Sequence, residues 1–167
     1  KNCTNVSLKQ VDFLSNYILD SDFDFIIAQR FLINLMEWDL QKKVILDLIG
    51  LLKKGGCLLM LEGSKDGVDA LNSVRGLMGL DPIKVKWHNK FFTDKQLKEL
   101  ISENDLTLVE KDGLGAYFLL TRGIRPCIET DLNWDTKFNK VAGSKEMHEL
   151  LGLKEKFSRL VLWVIEK

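Results

Sequence analysis

His88 stands between Trp87 and Asn89, and an imidazole is the side chain best suited to take or give a proton near neutral pH. Flanked this way it is a candidate general base, with Trp87 able to stack on a ring or sugar, although a lone histidine is more often structural. His148 is followed by Glu149 but by no second histidine at metal-binding spacing, so a metal is not expected. Glu62-Gly63 closes an apolar run, where a carboxylate can orient a substrate hydroxyl or act as base, or can simply be a solvated strand end. Gln29, Arg30 and Phe31 close an earlier apolar run, and Tyr117 and Arg122 are candidates for a substrate pocket. Cys3, Cys57 and Cys127 are odd in number and far apart, which argues against a disulfide framework or a zinc site and fits a reducing, cytoplasmic compartment. Cys57 opens a strand and reads as a small core residue rather than a nucleophile.

The elements that must position these residues are legible from periodicity. Phe23 to Ala28 is almost continuously apolar, the pattern of a parallel strand covered on both faces. Leu40, Val44, Ile45, Leu48, Ile49 and Leu52 recur at helical spacing over residues 39–54, with Asp39 at the start, Lys53 and Lys54 at the end, and Gly55 as a left-handed cap. Cys57 to Leu61 is a second buried strand. Strand, helix and strand make a parallel crossover, and sheets built this way bind ligands beyond the carboxyl ends of their strands. Both Glu62-Gly63 and Gln29 to Phe31 fall at that edge.

Val6 to Val11 alternates as a strand ending at Asp12. Residues 68–78 read as a helix, and Thr93-Asp94-Lys95-Gln96 as a capping box for another, with Leu97, Leu100 and Ile101 on its buried stripe. Residues 106–110 alternate as a strand, residues 117–122 favour helix, residues 134–151 read as polar helix, and residues 160–165 as a final buried strand.

Composition sets the frame. A chain of 167 residues with 46% apolar side chains fits one domain with a real core. Lys+Arg and Asp+Glu balance at 24 each, so no global basic field recruits nucleic acid, and no apolar run reaches the length of a membrane span. The chain begins at Lys1 rather than at a methionine, which reads as a processed product or a fragment.

Val6 to Asp12, Phe23-Asp24-Phe25-Ile26-Ile27, Phe31-Leu32-Ile33-Asn34-Leu35 and Leu51-Leu52-Lys53-Lys54-Gly55-Gly56 together resemble the central and C-terminal motifs of class I S-adenosylmethionine-dependent methyltransferases. Glu62 to Gly67, followed by Trp87-His88-Asn89, is similar to one bacterial branch. The resemblance implies an α/β fold: an open, mostly parallel, doubly wound, Rossmann-like sheet with an antiparallel C-terminal strand. The chain is then a single partial domain over residues 1–167, with residues 113–158 a helical insertion before the last strand.

It implies S-adenosylmethionine as cofactor and methyl transfer to a small or medium polar acceptor. Asp12 would accept from the adenine amine, Phe13 would pack on the ring, and Gln29, Arg30 and Phe31 would lie beside the methyl donor. Arg30 would bind an anionic substrate group or serve as a surface ion-pair partner; Phe31 would wall the cofactor or belong to the core. Asp24, inside a strand, would cap backbone amides.

The family's glycine-rich loop after a first strand, and the acid after a second, have no counterpart here. In the family order 3-2-1-4-5-7-6, strands 1 and 2 are then missing, and strand 4 becomes an apolar edge that should pair or aggregate. A preceding segment or a partner chain, or association into a homo-oligomer, is therefore expected, beside a small-molecule substrate and no nucleic-acid or membrane partner. The alternative is a non-catalytic, methyltransferase-like interaction module; a nicotinamide-dependent enzyme, which needs the same glycine turn, is a third reading.

Overall fold

The computed structural model describes residues 5–15 and 20–167, and Cys3 lies outside them. Four strands form one sheet in the order β1-β2-β4-β3. They are β1 (Phe23–Gln29), β2 (Leu52–Gly63), β3 (Thr107–Gly113) and β4 (Leu160–Glu166). β1 and β2 are parallel, and β4 runs antiparallel to both β2 and β3. Val6 to Val11 forms no strand: these residues have no regular secondary structure and are mostly exposed.

The crossover helix α1 (Trp38–Gly50) buries Val44, Ile45, Leu48 and Ile49 against the sheet. It stops four residues earlier than its apolar periodicity suggests. Leu52 has already turned into β2 and pairs with Phe23, so Lys53 and Lys54 belong to the strand. Gly55 is not a helix cap. It lies in an irregular stretch of β2, where the register jumps from Phe23↔Leu52 to Phe25↔Cys57, and its φ of +77° is a conformation only glycine adopts without strain.

α2 (Lys65–Leu77) starts on Ser64, whose hydroxyl accepts from the Gly67 amide. The Thr93/Gln96 capping box opens α3 (Asp94–Glu103) as the sequence indicates, and Leu97, Leu100 and Ile101 are buried. Phe92 packs between Trp38 and Trp163, with ring centroids 5.7 and 5.0 Å away. These rings join α1, α3 and the sheet into one core.

Between β3 and β4 the chain is helical: α4 (Gly115–Phe118), a wide helical turn (Leu119–Ile124), a 3-10 turn (Arg125–Cys127), α5 (Lys137–Ala142) and α6 (Lys145–Leu151). Residues 134–151 are thus two short helices rather than one, because Thr136 and Ser144 each cap a separate start. Arg125 is buried here and donates to the Asn133 carbonyl (2.8 Å), the Asp131 carbonyl (2.9 Å) and Asn139 Oδ1 (2.9 Å).

β1 is a sheet edge. Ala28 is buried, but Phe25 is 67% and Ile27 73% exposed, so the strand is not covered on both faces. Asp24 ion-pairs with Lys53 Nζ at 2.7 Å and caps no backbone amide among the hydrogen bonds of the described residues.

Candidate functional site

The carboxyl ends of β1 and β2 and the start of β4 meet at one rim, because Gly63 pairs with Leu160 and Gln29 with Leu61. From this rim the chain leaves β1 through Arg30 at φ +49°, the left-handed region, which costs a non-glycine residue about 1–2 kcal/mol. The Arg30 amide donates to the Leu61 carbonyl at 2.9 Å. A 3-10 turn, Leu32–Asn34, follows.

Glu62 holds that turn. Its carboxylate is fully buried and accepts from the amides of Phe31 (2.8 Å), Leu32 (3.0 Å) and Ile33 (3.3 Å). Burial pushes its carboxyl above the ordinary glutamate range, while the three amides and the charge of Arg30 pull the other way. Both oxygens are engaged with backbone and face no open space, so the expected base or substrate-orienting role does not fit this geometry. Gln41, also buried, adds a second tie: its side-chain amide donates to the carbonyls of Leu32 (2.9 Å), Leu35 (3.0 Å) and Lys90 (2.9 Å).

Gly63 lies against the ring of Phe91. A Cβ there would stand 2.3 Å from Phe91, so glycine is needed for that packing. Trp87 is 87% exposed and meets His88 edge-on at 5.3 Å. Tyr117 packs edge-to-face on Phe118 at 5.5 Å, and its carbonyl accepts from the Thr121 hydroxyl at 2.6 Å. Arg122 lies close enough to Arg159 to disfavour its charge.

Two cavities share Gln29 as a wall residue. One is apolar, about 410 Å³, walled by Phe13, Phe31, Ile26, Ala28, Gln29 and the outer face of β1. Phe13 and Phe31 meet edge-to-face at 5.3 Å. Asp12 is exposed beside it, and its carboxylate accepts from the Leu14 amide at 2.9 Å, the geometry of a turn. The other is polar, about 440 Å³, and is lined by Gln29, Arg30, Asn34, Lys86, His88 and Arg159 among others. The rim therefore brings together Gln29, Arg30, Phe31, Phe13 and His88. It leaves Tyr117 apart from these two cavities, and it turns Glu62 and Gly63 inward.

Lys86, Arg159 and Gln41 are site residues that the sequence did not single out. Arg159 precedes the last strand and Lys86 sits in a connector, and neither position carries a one-dimensional signal. Among the described residues no group of His, Cys, Asp and Glu forms a metal site, Cys57 and Cys127 are free thiols, and no helix is long and apolar enough to cross a membrane.

No protein-family model matches the chain, and no curated protein does. Solved structures do. PKMT2 from Rickettsia typhi, in complex with AdoHcy, superposes with a TM-score of 0.53 at 14% identity, over 97% of this chain and 39% of that one. An S-adenosylmethionine-dependent methyltransferase from Methanosarcina mazei gives 0.50 at 14%, over 95% and 66%. The [4+2]-cyclase SpnF gives 0.50 at 15%, over 95% and 54%. The chain spans less than two thirds of the length of each. The sheet order β1-β2-β4-β3 is the 4-5-7-6 half of the methyltransferase sheet. The fold is that of class I S-adenosylmethionine-dependent methyltransferases: α/β and Rossmann-like, with an antiparallel strand in an otherwise parallel sheet.

Proposed function

We propose that the chain carries one side of an S-adenosylmethionine site and serves methyl transfer to a small or medium polar acceptor, together with further strands that cover β1. The observation that supports this most is the pairing of an apolar, aromatic-walled cavity with a polar one, both lined by Gln29, at the carboxyl rim of the sheet. The residues fit the cofactor's two halves. Phe13 and Phe31 offer ring faces for a purine, Gln29 offers an amide between the cavities, and the exposed Asp12 directly precedes Phe13. When bound, the cofactor supplies a methyl group already activated by its sulfonium, which leaves as a neutral thioether.

This chain's own residues then have two tasks. They align the acceptor with the methyl carbon, and they receive the proton the acceptor releases. His88, in the polar cavity, is the candidate for the second, with Trp87 beside it at the open edge. The acceptor's lone pair forms the new bond to carbon, and its proton passes to the imidazole.

Further strands beside β1 would cover Phe25 and Ile27, and they would come from a preceding segment, a partner chain or a second copy. Residues 1–167 are read as one partial domain with residues 113–158 as a helical insertion, in a reducing, cytoplasmic setting consistent with the free thiols of Cys57 and Cys127.

Calorimetry with S-adenosylhomocysteine on a protein in which the β1 edge is covered tests the reading. Saturable binding, weakened by Phe31→Ala, is the expected result; no binding at millimolar ligand overturns it. A second reading, a non-catalytic interaction module, draws on the same exposed β1 face and on the engagement of Glu62 with backbone. It is favoured if cofactor is not bound while the β1 face still recruits a partner.

A further inference from the structure

Arg30, Lys86 and Arg159 converge on the polar cavity, and a smaller adjoining one of about 270 Å³ is lined by the same three. Neither lining contains an aspartate or glutamate. Among the described residues none of the three makes an ion pair, whereas Lys42, Lys43, Lys53, Lys65 and Lys111 each have an acidic partner. In a chain whose charges balance, this is a local concentration of unneutralised cations. Glu62 feels the charge of Arg30 but makes no ion pair with it, its oxygens being turned to the amides of Phe31, Leu32 and Ile33.

Arg159 is half-buried, and its guanidinium lies 5.7 Å from the Phe91 ring centre, which fixes it at the cavity wall. Burial, and then the charges of Arg30 and Arg122, work against its ionised form, an arrangement that an incoming anion relieves. Arg30 holds the left-handed conformation that glycine would adopt more easily.

We propose that Arg30, Arg159 and Lys86 form an oxyanion subsite for a phosphate or carboxylate group, with the Asn89 and His88 side chains at its margin. Two guanidinium forks and an ammonium match the oxygen atoms of such a group. That the anion belongs to the methyl acceptor rests on the reading above; anion binding itself does not.

The test is titration of the 167-residue chain at low ionic strength with inorganic phosphate in one arm and succinate in the other, without cofactor. Saturable binding of at least one at millimolar concentration is expected, and the tighter of the two identifies the group. Arg159→Gln and Arg30→Gly should each weaken it about tenfold or more, and Lys98→Gln, an exposed cation elsewhere, should not. Arg30→Gly also relieves the left-handed strain, so it should melt no lower than the wild type while losing the anion. Absence of saturable binding of both anions, or equal weakening by Lys98→Gln, overturns the proposal. Failure to bind S-adenosylhomocysteine would remove the methyl-transfer reading and leave these titrations unchanged.

Discussion

Glu62 Oε1 lies 3.0 Å from the amide nitrogen of Leu32, so the end of strand β2 grips the turn that follows β1. A buried carboxyl group with three backbone donors is an N-terminal anchor for a 3-10 turn, and replacing one of its oxygens by a donor leaves the facing N–H unpaired.

Glu62→Gln should destabilise the chain by about 1–3 kcal/mol, because one position then sets an amide NH2 against the Ile33 N–H. Urea unfolding measures it. A variant as stable as the wild type would show that the anchor contributes little.

The pH dependence has a defined sign. Burial raises the Glu62 carboxyl in the folded chain, so folded protein binds that proton more readily than unfolded protein. Its contribution is full below the ordinary glutamate value of 4.5 and is lost as pH rises through the raised value. The stability difference between wild type and Glu62→Gln should therefore shrink as pH increases across that window. A difference that widens would contradict this.

Gly63→Ala places a methyl group 2.3 Å from the Phe91 ring. The ring must move, at a cost of about 1–3 kcal/mol. Phe91 supports Arg159, so phosphate titration should weaken along with thermal stability.

The β1 edge should self-associate when uncovered, through Phe25 and Ile27. Sedimentation of the Phe25→Lys, Ile27→Lys double variant should show less association than the wild type at equal concentration. A wild type that sediments as a monomer at every concentration removes this expectation.

Arg125→Met should loosen the helical segment between β3 and β4 more than the sheet. The side chain satisfies two carbonyls and Asn139 at once, and Met leaves all three without that donor. Hydrogen exchange should rise in residues 115–142 while β2 and β4 stay protected.

Much of the sheet was legible because its strands are apolar runs bounded by helices with clear stripes. The Thr93/Gln96 cap and Leu97, Leu100 and Ile101 were read at the residue level for that reason. The Gly55 error shows the limit. A glycine after a lysine pair signals a helix end, but here pairing of Leu52 with Phe23 drew the chain into β2 first. Val6 to Val11 alternates, yet it pairs with no strand among the described residues, and alternation without a neighbour does not make a ladder.

Of the site, the rim itself was readable from topology, since strand ends must share an edge. Glu62 lies on that rim with its carboxylate turned to amides, which the sequence does not reveal, because whether a carboxylate faces solvent or amides depends on how the next turn folds over it. Arg159 and Lys86 escaped notice because they are distant from Arg30 in sequence and meet it only once β4 has inserted beside β2.

The double tie of Glu62 and Gln41 on residues 31–35 has a consequence for binding thermodynamics. The turn that follows Arg30 is held by contacts within the chain itself, so a ligand arriving there should have little backbone to order. Its entropy penalty reduces to its own immobilisation and that of a few side-chain torsions. Affinity at this rim should then track the ligand's charge and shape, and loosening either tie should turn a preorganised receptor into one that must fold around each guest.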